Sequence, residues 1–189
     1  MHRKDIIMAI EVTNVYKERY PALRLIGKRY TNDDRDKAGG FGDQWDEWNG
    51  GDKFSLMKQA VEVLPFCEDP LGLMTMRGDM TGFTYWVGLF FPAGTNVPDG
   101  YDCLDLPESD IGVGWVRGNL EDGEIFGGPP HEAVCQKMNE QGFGNFRSDI
   151  AGQGSDTYCF FERYNGTRFD NKDANGNVTL DYGNYIIVS

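Results

Sequence analysis

Histidine is scarce in this chain, which has 189 residues and two histidines, His2 and His131. His2 stands near the start of the chain and His131 in the first turn of a predicted helix, so a Ser-His-Asp or Cys-His catalytic arrangement is hard to build. The Gly-x-Ser-x-Gly segment of a hydrolase nucleophile is also absent. Nucleophilic catalysis assisted by histidine therefore gains no support.

Cysteine pairs are absent as well. The four cysteines are far apart and none belongs to a Cys-x-x-Cys motif; they are Cys67, Cys103, Cys135 and Cys159. Zinc and redox sites gain no support from this spacing. We expect reduced thiols, no metal and no cofactor.

Basic residues and long apolar runs are also few. Lys and Arg number 18 against 30 Asp and Glu, which gives a formal net charge of −12 and argues against direct binding of nucleic acid or of an anionic membrane. No segment approaches the ~20 apolar residues of a membrane span, and the N-terminus lacks the features of a signal peptide. We expect a soluble cytoplasmic protein.

Aromatic residues, in contrast, are plentiful, with 12 Phe, 9 Tyr and 4 Trp. The aromatic segment 157–165 predicts a buried strand, on which Tyr158, Phe160, Glu162 and Tyr164 share one face. A carboxylate among rings needs a partner, a proton or a ligand if it is buried. The alternative, a Glu at a sheet edge in water with the rings as ordinary core, stays open at this point.

The order of elements repeats along the chain. Strands are predicted at 22–30, 71–77, 83–91, 110–117, 157–165 and 184–188, and helices at 43–63 (broken at 50–51) and 129–141. Segment 4–17 could be helix or strand, and 31–42, 92–107 and 119–128 read as loops. Gly112 and Gly114 share one face of their strand and leave space there.

This order predicts an α+β fold in which two βαββ units form one antiparallel sheet. We expect one domain over 1–189, with half one at about 18–92, half two at about 108–189 and 92–107 as the connection. Helices would cover one face of the sheet, and a ligand cleft would lie on the other.

Several short segments carry a resemblance to a known family. These are Tyr-Trp-Val-Gly at 85–88, Pro-Asp-Gly-Tyr at 98–101, Leu-Pro at 106–107, the strand 111–118 and Phe-Glu-Arg-Tyr at 161–164. Over residues 18–189 the chain resembles the GyrI-like small-molecule-binding domain, which is also the effector-binding domain of multidrug-sensing transcription regulators. The resemblance implies a duplicated βαββ fold, a cleft between the halves and an acid at Glu162 that faces aromatic ligands.

The chain looks like a standalone member of this family, and the standalone group includes hydrolases that open the cyclopropane of DNA-alkylating drugs. In that hypothesis Glu162 acts as general base on a water, and Tyr85 or Tyr164 stabilises the developing oxyanion. Trp45, Trp86 or Trp115 would stack on the planar drug.

Two alternatives remain open. In the first, the chain binds or senses a planar aromatic or cationic small molecule without chemistry, with Tyr158, Phe160 and Tyr164 as further contacts to the ligand. In the second, it binds a protein partner, in the manner of family members that act on DNA gyrase.

Overall fold

The computed structural model describes residues 10–150 and 156–187. Its eight strands and three α-helices follow in chain order as β1 (Glu11–Tyr20), β2 (Leu23–Tyr30), α1 (Gly42–Gly50), α2 (Lys53–Ala60), β3 (Leu71–Arg77), β4 (Thr84–Pro92), β5 (Asp102–Leu106), β6 (Ser109–Asn119), α3 (Gly128–Glu140), β7 (Thr157–Arg163) and β8 (Asn177–Ile186). A short 3-10 turn, Asn32–Asp34, follows β2. No helix in these ranges is long and apolar enough to cross a membrane.

All eight strands belong to one antiparallel sheet with the order β1-β6-β8-β7-β3-β4-β2-β5. One βαββ unit comprises β2, α1, α2, β3 and β4, and the other comprises β6, α3, β7 and β8. The two units meet where β3 pairs with β7, with Leu73 opposite Phe161. The α+β class and the duplicated βαββ order are confirmed.

The sheet is strongly curved. Strands β1 and β2 stand six positions apart in the sheet, yet only Pro21 and Ala22 lie between them in the chain. In a flat sheet they would be about 29 Å apart at ~4.8 Å per strand, whereas a link of this length spans about 11 Å. The ring of Tyr20 accordingly contacts Phe90 and Phe161, with centroid distances of 6.0 and 6.3 Å.

A large apolar cluster fills the concave face that this curvature creates. Leu71, Leu73, Trp86, Phe161 and Tyr185 are all less than 5 % exposed there. This is the face opposite to the helices, where the sequence predicted the ligand cleft. The face is occupied by packed side chains, because the two ends of the sheet close over it.

The helices pack on the convex face. Trp48 and Met57 of the first helical pair belong to one buried cluster with Val87 of β4. Helix α3 lies against β6 at the two glycines whose side was predicted to be open. A Cβ at Gly112 would stand 2.9 Å from the Met138 sulfur, and one at Gly114 would collide with Val134. The space that these glycines leave is therefore occupied by α3.

Three parts of the secondary structure differ from the sequence prediction or extend it. β5 lies inside the predicted loop 92–107, and β8 begins at Asn177 rather than at 184. Segment 10–17 is largely strand, since β1 begins at Glu11. Positions 4–9, together with His2 and Val188, lie outside the described residues.

Replacing Gly114 with Ala should lower the free energy of unfolding by about 1–3 kcal/mol, because the new methyl group would push α3 away from β6. Urea denaturation measures this change. Gly50→Ala is the matched control, since nothing lies within 4 Å of a Cβ at that helical position, and it should leave stability equal or slightly higher. Equal effects of the two substitutions would contradict the packing described here.

Candidate functional site

Glu162 lies near the centre of the sheet. On β7 it stands opposite Tyr182 of β8 and Gly72 of β3, and its side chain is on the helix-bearing face. Only 5 % of the residue is exposed to solvent. The structure thus resolves the alternative that the sequence left open, because Glu162 is buried and is not in water at a sheet edge.

Three tyrosines surround the carboxyl group. The Tyr164 hydroxyl lies 3.0 Å from Oε2, and the Tyr182 hydroxyl lies 3.2 Å from Oε1. Tyr85 reaches the same point from β4 across Gly72, where any Cβ would overlap the Tyr85 hydroxyl. Residue 72 must therefore be glycine for this arrangement to form, since a larger residue would displace the Tyr85 ring.

The hydrogen of Tyr182 has two possible acceptors. The carbonyl of Ile125 lies 2.8 Å from the Tyr182 hydroxyl, closer than Glu162 does. A hydroxyl has one hydrogen to donate. When Tyr182 donates it to Ile125, the Tyr182 oxygen can accept a hydrogen bond from a protonated Glu162. The local geometry thus suits a protonated carboxyl group.

A second layer of rings encloses the tyrosines. Trp45 of α1 donates its Nε1–H to the Tyr85 hydroxyl at 2.8 Å, and its ring lies 4.3 Å from that of Tyr164. Phe41 stacks on Tyr85 with a centroid distance of 4.1 Å and an interplanar angle of 3°. Trp45 and Tyr164 are only partly buried, so they form the outer wall of the Glu162 cluster, which we define as Glu162, Tyr85, Tyr164, Tyr182, Trp45 and Phe41.

The charge of Glu162 has no cationic partner in the described part of the chain, where no Lys, Arg or His forms an ion pair with it. Burial raises the pKa of Glu162, because it disfavours the charged form, and the hydrogen bonds from Tyr164 and Tyr182 offset only part of that rise. The site therefore holds a carboxyl group that a proton or a bound cation must compensate.

Another buried acid in the same sheet, Asp181, does have cationic partners. Asp181 is fully buried on the concave face and forms ion pairs with Arg163 at 2.8 Å and with Arg168. Glu18 and the hydroxyl of Tyr20 also bind Arg163. The fold can thus supply arginines to a buried carboxylate, and it supplies none to Glu162.

The structure brings some of the predicted site residues together. Tyr85, Tyr164 and Trp45 surround Glu162, as described above. Phe160 and Tyr158 share its face but lie further along β7, where they line a separate cavity beside α3. The Glu162 cluster and that cavity are neighbours on the same strand.

Two predicted residues lie away from Glu162. Trp86 follows Tyr85 on β4, so its side chain is on the concave face, where Nε1 donates to the Thr84 hydroxyl at 3.1 Å. Trp115 is also on that face and lies under Arg168, with 4.5 Å between the guanidinium and the ring. Neither ring contacts the Glu162 cluster, because neighbouring residues of a strand point to opposite faces.

Sequence reasoning missed Tyr182, Phe41 and Gly72. Tyr182 precedes the predicted strand 184–188, although Val178, Leu180 and Tyr182 alternate as the side chains of a strand do. Phe41 lay in a segment that was read as loop. Nothing in the local pattern around Gly72 signals that a tyrosine from the neighbouring strand passes over it.

The described residues do not form a metal-binding site. Within residues 10–150 and 156–187, no group of three or more His, Cys, Asp and Glu side chains is arranged to hold a metal ion.

The fold and the cluster define an α+β domain of two βαββ units with an aromatic-walled buried acid, and solved structures share this fold. A protein from Staphylococcus aureus MU50 assigned to bacterial transcription regulation aligns with a TM-score of 0.58 and 13 % identity, over 93 % of this chain and 99 % of its own. SAV2435 bound to tetraphenylphosphonium aligns with a TM-score of 0.59 and 15 % identity, over 93 % and 94 % of the two chains.

A third similar structure is EcmrR in a complex with DNA, with a TM-score of 0.52 and 11 % identity, over 98 % of this chain and 60 % of EcmrR. No protein-family profile and no curated protein sequence matches the chain. At these identities the comparisons establish the fold, and at that level the resemblance to the GyrI-like domain is confirmed.

Replacing Glu162 with Gln should change how stability depends on pH. Because the folded state raises the pKa of Glu162 above its usual 4.5, the folded protein binds the proton more tightly than the unfolded chain does. The contribution of Glu162 to wild-type stability should therefore fall as pH rises from about 4.5 through the raised pKa. The advantage of Glu162→Gln over wild type should grow in that window by up to about 1.4 kcal/mol per pH unit.

Chemical denaturation of both proteins at a series of pH values measures the difference, and contributions from all other titrating groups cancel in it. A difference that stays constant with pH would show that Glu162 keeps an ordinary pKa in the folded protein.

Proposed function

We propose that this chain binds an aromatic cation at the Glu162 cluster. The observation that carries this proposal is a buried carboxyl group with a raised pKa, no cationic partner in the described residues and a wall of aromatic rings. A ligand with delocalised positive charge supplies the counter-ion that the fold omits.

The energetics favour a cation of this kind. A buried carboxylate without a counter-ion is costly, so burial favours the protonated form of Glu162 when no cation is bound. A ligand cation that displaces the proton gains attraction in a water-poor site, and each ring beneath it adds about 0.5–2 kcal/mol. The structure of SAV2435, which shares the fold, contains tetraphenylphosphonium, an ion of this chemical class.

Entry of the ligand requires movement of the outer wall. Glu162 is 5 % exposed, whereas Trp45 and Tyr164 are partly exposed and cover it. Trp45 is carried by α1, a helix of nine residues that ends at Gly50. A short helix at the surface opens at a lower cost than the central strands beneath it.

Tetraphenylphosphonium should bind wild-type protein, and Glu162→Gln should weaken that binding by about tenfold to a hundredfold, since the charge attraction is lost. Affinity for wild type should rise with pH until it passes the raised pKa of Glu162, because the cation displaces a proton. Isothermal titration calorimetry in buffers of different ionisation enthalpy measures both the affinity and the released proton.

Tetraphenylborate has the same shape with the opposite charge and should not bind to wild type. Glu121→Gln is the matched control variant, because it makes the same change from carboxylate to amide at an exposed position of the loop after β6. An equal loss in Glu121→Gln and Glu162→Gln, or equal binding of both ions, would contradict the proposal.

A second candidate function is hydrolysis of a cyclopropane-bearing alkylating drug, and the placement of Glu162 beside phenol groups favours it. An ionised Glu162 would take a proton from water as the water oxygen attacks the cyclopropane carbon. The carbon–carbon bond then breaks, and its electron pair moves to a conjugated carbonyl oxygen. Tyr85 or Tyr164 donates a hydrogen bond to that oxygen.

Incubation with a planar drug of this class, followed by mass spectrometry, should show a product heavier by one water if the second candidate is correct. Glu162→Gln should lose this turnover by at least about a hundredfold while it keeps the fold by circular dichroism. Recovery of unchanged drug from wild type would contradict the hydrolase candidate and would be consistent with binding alone. Full turnover by Glu162→Gln would exclude Glu162 as the base.

A further inference from the structure

A second cavity lies beside the Glu162 cluster, at the ends of β3 and β7 that are near α3. It encloses about 190 Å³. Its apolar wall consists of Met76, Met80, Phe146, Tyr158 and Phe160. None of these side chains belongs to the Glu162 cluster, and Phe160 stands between the two sites along β7.

One polar group in this cavity lacks a partner. Asn184 of β8 is 4 % exposed, and its Oδ1 lies 2.7 Å from His131 Nε2, yet its Nδ2 makes no hydrogen bond. Buried amide donors are nearly always paired in proteins. The Asn184 Nδ2 donor therefore lacks an acceptor, and Asn184 is one of the residues that line the cavity.

The residues that line the cavity favour a ligand without charge. Among its described lining residues none is acidic. Burial lowers the pKa of His131, which keeps the imidazole neutral, and its ring stacks on Phe160 at 4.1 Å. Arg77 at the rim is exposed and lies 3.8 Å from Asp79. A neutral ligand fits these surroundings better than an ion does, because nothing inside would compensate a charge.

The volume limits the size of the ligand. Pockets for drug-sized molecules enclose about 300–1,000 Å³, and this cavity is smaller. A single aromatic ring with a short substituent is the largest rigid molecule that suits it, and the flexible Met76 and Met80 side chains can adjust to its shape.

We propose that this cavity is a second binding site, for a neutral single-ring compound whose carbonyl oxygen accepts a hydrogen bond from Asn184 Nδ2. The ring packs between Tyr158, Phe160 and the two methionines. The site is independent of Glu162 and of any cationic ligand.

Titration with acetophenone, followed by NMR of ¹³C-methyl methionine, tests the proposal on wild-type protein. The methyl signals of Met76 and Met80 should shift, and that of Met57, which is buried on α2, should not. Ethylbenzene has nearly the same shape without the carbonyl and should bind about tenfold more weakly. Equal affinities for the two compounds, or shifts that leave Met76 and Met80 unchanged, would overturn the proposal.

Variants separate the two sites. Asn184→Leu should abolish the preference for acetophenone, and Cys135→Leu should block binding of both compounds because residue 135 lines the cavity. Cys103→Leu makes the same change at an exposed position of β5 and should bind like wild type. Glu162→Gln should leave acetophenone affinity unchanged, so the two proposals fail or stand separately. Loss of acetophenone binding in Cys103→Leu or in Glu162→Gln would contradict a local, independent site.

Discussion

The carboxyl group of Glu162, buried among tyrosines without a cation, is the constraint on which this site depends. Its burial follows from the position of β7 in the middle of an eight-stranded sheet, flanked by β3 and β8. The carboxyl group contacts the hydroxyl of Tyr164, which follows β7 in the chain, and the hydroxyl of Tyr182 on β8. Such hydrogen bonds reduce the cost of burying an acid but do not supply opposite charge. The group is therefore sensitive to protonation and to any cation that reaches it.

The buried acids on the two faces of the sheet differ in their partners. The acid on one face is paired with arginines, and the acid on the other face is not. On the concave face, Asp181 is bound by Arg163 and Arg168, and the result is a fixed network inside a packed core. On the convex face, Glu162 contacts tyrosine hydroxyls and the backbone of Gly127, and it forms no ion pair with a described cationic side chain. A compensated carboxylate has little to gain from a ligand, whereas an uncompensated one gains the full attraction of a bound cation.

Curvature explains why the ligand-directed residues lie on the helix-bearing face. A flat sheet with helices on one side would leave its other side open. Here the two-residue link between β1 and β2 draws the ends of the sheet together, and Tyr20 packs against Phe90 and Phe161 in the enclosed space. The Glu162 cluster and the cavity with His131 both lie on the convex face, the first on the side of α1 and the second on the side of α3.

Period-two alternation predicted that Glu162 shares a face with Tyr158, Phe160 and Tyr164, and the repeated order of elements predicted two βαββ units in one sheet. Both follow from local rules, because side-chain direction along a strand is fixed by the backbone. The predicted start of strand β8, residue 184, lies seven residues after its actual start at Asn177. Asp181 is typical of a turn, and only its ion pairs with Arg163 and Arg168 make it compatible with a buried strand.

The amino-acid sequence by itself determined the acid, the rings beside it on β7 and the α+β class. Only the tertiary structure decided that Tyr182 and Trp45 join Glu162, that Trp86 and Trp115 face away, and which face of the sheet is enclosed by its two ends. These outcomes depend on strand register and sheet curvature, which arise from contacts between residues far apart in the chain and leave no periodic signal in it.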